Sequence, residues 1–172
     1  NAQTFDNFVI GQSNIDVEGI IPTGTWSNAA GGLWGAAGNW SSTLVGGGSG
    51  NTAHLNTLNI TADTTVNLDT PLTIGNLVFG DTDTSSAAAW TLANNGAPGN
   101  VLTLAGTTPT ITVNALGGTK TVTISAVIAG SSGLTKDGAG TLVLSGANTY
   151  TGPTTVNNGI VLVSGQSYFN VG

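Results

Sequence analysis

Short apolar runs with a polar residue at alternate positions recur along the second half of the chain. They read NLVFG (76–80), VLTLAG (101–106), TVTISA (121–126), TLVLSG (141–146) and IVLVSG (160–165). Alternation of this kind sends one row of side chains inward and the next outward, as in a half-buried β-strand. Taken as equivalent positions, Leu77, Leu102, Val122, Leu142 and Val161 stand 25, 20, 20 and 19 residues apart. Phe79, Leu104, Ile124, Leu144 and Val163 follow two residues behind them. Several runs close on Gly, the residue a tight turn accepts most readily. Weaker runs, TVNL (65–68), TITV (110–113) and TTV (154–156), lie between the stronger ones.

A period near 20 residues with two or three strands per repeat predicts an all-β solenoid, a parallel β-helix in which each repeat forms one coil. Equivalent strands of successive coils then pair in parallel and stack like residues inward. An antiparallel β-sandwich is the alternative that the same short strands allow. The chain divides into an N-terminal arm (1–24), a Trp/Gly-rich capping segment (25–50) and the solenoid proper (51–172).

Composition supports the strand reading and narrows function. Helix formers such as Glu, Lys, Gln, Arg and Met are nearly absent, whereas Thr, Val and Ile favour strands. The charged fraction is 6% and the net charge −6, with Lys120 and Lys136 the only cations. Such a chain lacks the clustered Lys/Arg that nucleic acid or an anionic membrane surface requires. No apolar run approaches the ~20 residues of a spanning helix, so membrane insertion by helix is not expected. With no Cys there is neither a disulfide framework nor a thiolate metal site. The opening NAQTFDNF has no charged n-region or apolar h-region, so a signal peptide is either absent or already removed, and composition favours removal.

Residues 133–165, GLTKDGAGTLVLSGANTYTGPTTVNNGIVLVSG, resemble the autotransporter-associated β-strand repeat of bacterial surface passengers. The matching positions are Leu134, Lys136, Gly138, Gly140, Leu142, Leu144, Gly146, Asn148, Tyr150, Gly152, Thr155 and Val156. The upstream TWSNAAGGLWGAAGNWSS (25–42) is similar to a Trp-rich segment found near the start of such proteins. The resemblance implies a right-handed parallel β-helix, secreted to the bacterial cell surface, with a structural or adhesive role. One full repeat and no translocator barrel fit either a fragment or a free-standing secreted subunit.

Candidate chemistry is sparse. His54 is the only histidine, and no GxSxG context accompanies it, so a polar strand residue is the expected role. The eight carboxylates, Asp6, Asp16, Glu18, Asp63, Asp69, Asp81, Asp83 and Asp137, could pair as in a polysaccharide hydrolase. A β-helix lyase would also need cations to grip an acidic sugar, and two separated lysines do not supply them. No enzyme, cofactor or metal is therefore expected. GDTDTSS (80–86) resembles a calcium loop only faintly and reads as a solvated turn. Lys136–Asp137 reads as a turn device. The sequons at Asn39 and Asn59 carry meaning only in a eukaryotic secretory route.

Two groups of residues remain as candidate contacts. Trp26, Trp34 and Trp40 could seal an end of the solenoid or, alternatively, stack on glycans. Phe5, Phe8, Val9 and Ile10 in the arm, with Tyr168 and Phe169 near the other end, are candidate subunit contacts. The expected partner is the chain itself, in a homopolymer built by head-to-tail stacking, because an uncovered terminal coil offers an unpaired strand edge.

Overall fold

The structure, a computed structural model, describes residues 23–165. The arm residues Phe5, Phe8, Val9 and Ile10, and likewise Tyr168 and Phe169, lie outside the described residues. The strands in chain order are β1 (Gly24–Thr25), β2 (Gly32–Leu33), β3 (Gly48–Leu55), β4 (Thr64–Asn67), β5 (Leu72–Phe79), β6 (Trp90–Ala93) and β7 (Leu102–Leu104). They continue with β8 (Thr110–Val113), β9 (Val122–Ile124), β10 (Ile128–Ala129), β11 (Leu134–Asp137), β12 (Thr141–Leu144), β13 (Thr154–Val156) and β14 (Ile160–Val163). Two short 3-10 turns, Ala37–Asn39 and Ser41–Thr43, are the only helical pieces among the described residues.

The strands form two sheets whose ladders are all parallel. One sheet runs β1-β3-β5-β8-β11-β13 and the other β2-β4-β6-β9-β12-β14. Neighbours within a sheet are never consecutive in sequence, so the chain alternates between faces as it advances. A parallel partner requires a crossover, and here the crossover is the opposite face of the coil. That is a parallel β-helix, and it excludes the antiparallel sandwich. A short third face is built from the start of β5, then β7 and β10, with Leu72, Leu102 and Ile128 in register.

Inward positions form columns of like residues. On the first sheet Ala53, Leu77, Ile111, Lys136 and Val156 are in register. On the second, Val66, Leu92, Ile124, Leu144 and Val163 are. Leu, Ile and Val at these places are fully buried except on the last described coil, and each such side chain contributes roughly 1.5–3 kcal/mol of hydrophobic burial. Outward rows carry Thr, as in Thr65, Thr91 and Thr123, whose hydroxyls stay near water while the branched Cβ suits the strand.

The columns correct the repeat alignment. Val122, Leu142 and Val161 are equivalent as expected, but their next partner is Trp90, not Leu102. Leu77 and Leu102 belong to two other faces, where they meet Ile111 and Leu72. The even spacing misleads because only the last coils are 19–20 residues long. Earlier coils carry longer turns, such as 94–101 and 114–121, which absorb the difference. The Trp-rich segment is part of the helix as well: β1 pairs with β3 and β2 with β4, so it makes the first described coil.

Candidate interaction edge of the repeat

The three tryptophans of the first described coil fill its interior. Trp26, Trp34 and Trp40 are 0%, 3% and 3% exposed. Trp40 stands edge-on to both others, with centroids 5.1 Å from Trp26 and 4.8 Å from Trp34. Their indole N–H groups donate to the carbonyls of Asn28, Gly46 and Trp34 at 2.6, 2.8 and 2.6 Å. Stacking on a glycan requires an open ring face and gains from a free N–H. These rings have neither, because the small residues around them close over the cluster, so glycan stacking by Trp26, Trp34 and Trp40 is corrected to interior packing.

The polar residues of the repeat are also spent on holding coils together. Asn148 is 2% exposed, and its Oδ1 accepts the Ile128 N–H at 2.9 Å, tying two coils across 20 residues. Tyr150 is buried, with its hydroxyl 2.8 Å from Thr154 Oγ1. Lys136 occupies an inward column position between Ile111 and Val156 and is fully buried. Its ammonium donates to the carbonyls of Asp137 and Gly138, both at 2.7 Å, and of Asn158 at 3.1 Å. Burial pulls its pKa below the ordinary lysine value, against the opposing pull of Asp137.

Asp137 completes this clamp from outside. Its Oδ1 accepts the Asn158 amide at 2.7 Å and the Gly138 N–H at 2.8 Å, and these two bonds hold its pKa below the usual carboxylate value. Sequence reasoning saw Lys136–Asp137 as a turn device but missed the inward placement of the lysine. The signal was present in the alternation Leu134-Thr135-Lys136, which sends Leu134 and Lys136 to the same side.

The remaining ionisable groups are dispersed. His54 sits on β3 opposite Thr25 and Val78. Asp63 pairs with Lys120 at 2.7 Å on the surface. Asp69 accepts the Gly35 N–H, Asp81 those of Ile60 and Asp83, and Asp83 that of Ser85, so the GDTDTSS carboxylates organise their own turns. Among the described residues no three of His, Cys, Asp and Glu gather as a metal site.

What stands out is the last described coil. β14 pairs with β12 on one side, and β13 with β11; neither has a strand on its other edge among the described residues. Val156, Ile160, Leu162 and Val163 are 44%, 54%, 50% and 39% exposed. Val156 and Val163 continue the inward columns, which elsewhere are covered by the next coil, whereas Ile160 and Leu162 are in register with Thr141 and Val143 on the outward side. The geometry is that of an apolar parallel edge of three to four residues per strand, able to receive further strands.

Residues 134–163, the coil pair holding the lysine clamp and this edge, match the family model of the passenger-associated-transport-repeat. The chain carries a passenger repeat. A stretch of 103 residues, 60% of the chain, is 40% identical to the curated protein "Adhesin BmaC autotransporter" of Brucella suis biovar 1 (strain 1330). That alignment spans 3% of the adhesin's length. No solved structure matches the chain. Placed on the fold, the positions of the passenger repeat are the inward residues Leu134, Lys136, Leu142 and Leu144, the coil-linking Asn148 and Tyr150, and the turn glycines.

Proposed function

We propose that the chain acts as a non-enzymatic scaffold in a secreted, cell-surface passenger of adhesive character, and that its coils associate end to end with those of a second copy. The passenger repeat and the similarity to an autotransporter adhesin support the first part. The observation that carries the second is the uncovered pair of inward residues Val156 and Val163 at the edge of the last described coil. A β-helix lengthens by laying one coil on the next, and an edge with the chemistry to accept a coil in the same polypeptide offers it equally to another molecule. Stacking of two different end surfaces is heterologous and need not close, which permits a filament. The non-enzymatic reading draws support from polar side chains such as Lys136, Asn148 and Asn100, which are engaged with main-chain groups.

Electron microscopy and sedimentation of the purified chain over a concentration series test the assembly. Filaments or end-to-end oligomers that grow with concentration are expected, and Val163→Lys, which would bury a charge under the incoming coil, should shift them towards monomer. Particles that stay monomeric at every concentration would refute end-to-end association.

A further inference from the structure

Two asparagine–glycine pairs lie in exposed turns: Asn95–Gly96, two residues after β6, and Asn158–Gly159, between β13 and β14. In this dipeptide the glycine puts no side chain in the way of its own nitrogen. That nitrogen can attack the asparagine Cγ, forming an N–Cγ bond and expelling Nδ2 as ammonia, which closes a succinimide ring. Water then opens the ring at either carbonyl. One opening gives aspartate and the other gives isoaspartate, whose main chain runs through Cβ. Solvent is the sole co-reactant.

The two turns hold their amides differently. Asn158 Nδ2 donates to Asp137 Oδ1 at 2.7 Å, and the Asn158 carbonyl accepts from Lys136 Nζ at 3.1 Å. Gly159 has φ 73°, and a methyl group there would collide with the carbonyls of Gly138 and Gly140. The turn is thus pressed onto the preceding coil, and expulsion of Nδ2 gives up its bond to Asp137. The bonds of the other turn run through Asn94. Its Oδ1 accepts the Gly96 N–H at 3.2 Å and its carbonyl the Ala97 N–H at 3.0 Å, leaving the Asn95 side chain outside them. Asn95 is exposed with φ 54°, and a methyl group on Gly96 would meet nothing within 4 Å.

We propose that Asn95 is a site of spontaneous deamidation and that Asp137 shields Asn158 from the same reaction. A charge-assisted hydrogen bond that must be surrendered as Nδ2 leaves slows it about ten- to a hundredfold. The shielding matters because conversion of Asn158 would set a second carboxylate against Asp137. The isoaspartate product would also carry the Asn158 carbonyl away from Lys136.

The test is ageing of the full chain in mildly alkaline buffer at physiological temperature. Peptide mapping by mass spectrometry then reads the amide-to-acid mass gain, with isoaspartate detected enzymatically. In the native chain Asn95 should convert while Asn158 persists, and in concentrated urea the two should convert at similar rates. Asp137→Ala should speed conversion at Asn158 about tenfold or more. The Asn95 rate should stay unchanged in that variant, which serves as the internal check that the earlier coils remain folded. Equal native rates, a persistent difference in urea, or an unchanged Asn158 rate in Asp137→Ala would each overturn the proposal.

Discussion

Replacing Lys136 with Met puts two opposing effects into direct competition. The substitution keeps most of the methylene volume in the column between Ile111 and Val156, so little cavity forms. It removes a desolvated charge, which by itself favours the folded state, and it strips three carbonyls of their donor. Hydrogen bonds to a charged group contribute about 1.5–3 kcal/mol each, which sets an upper bound near the sum of three. Against this stand the several kcal/mol that burial of the ammonium costs. Rehydration matters too, because Asn158 is exposed and Asp137 and Gly138 are half-buried, so water can reach part of the cradle. The balance is a loss of about 2–4 kcal/mol. Urea unfolding measures it, and hydrogen exchange at Asn157, whose N–H donates to the Lys136 carbonyl at 2.9 Å, locates it. Lys136→Ala should lose about 2 kcal/mol more through the cavity. A Met variant as stable as the parent, with unchanged exchange at Asn157, would refute the claim that the ammonium ties the two coils.

Further expectations follow from the same coils. Gly138 has φ 77°, and a Cβ there would strike the Val113 carbonyl, so Gly138→Ala should cost about 1–3 kcal/mol or more in thermal or urea unfolding. Tyr150→Phe removes the hydroxyl that meets Thr154 and should cost about 1–2 kcal/mol, read from the same curves. Asp63, Asp83 and Asp137 are all held below the ordinary carboxylate pKa by hydrogen bonds to Lys120, Ser85 and Asn158 respectively. The folded chain therefore binds fewer protons than the unfolded one in acid. Their stabilisation is complete above the unfolded carboxylate value of about 3.9 and is lost as pH falls through the depressed folded values. Melting temperature should drop on acidification through that window, less steeply in Asp137→Asn; a flat profile would contradict it.

The pattern of the sequence carried the fold class because period-2 alternation within runs and a near-constant interval between them are direct physical images of strand and coil. Parallel pairing follows once consecutive runs cannot be neighbours. The assignment of columns was not legible for the earlier coils. There, turn insertions change the coil length, and an interval of 20 from Leu102 to Val122 arises by coincidence. The tryptophans could be placed but not oriented, since three rings among Gly, Ala and Asn fit a plug or a platform equally well. The burial of the rings and the partners of their N–H groups decide. Lys136 was concealed by its charge: a lysine in an alternating run looks like a solvated outward residue. Its inward role depends on carbonyls of Asp137, Gly138 and Asn158 that converge only after two coils have closed.

The parallel ladders have a mechanical consequence. Strands lie across the helix axis, so their hydrogen bonds point along it, and a pull along the axis opens them one coil at a time instead of shearing all of them together. Resistance is then local to each junction, and the force needed to lift a coil depends on what crosses that junction besides the ladder. Between β11 and the turn before β14 the crossing elements are an ammonium on a carbonyl and a carboxylate on an amide. A tether built from such coils lengthens in steps under load and can rewind each coil when the load falls, with the lysine-clamped junctions yielding last.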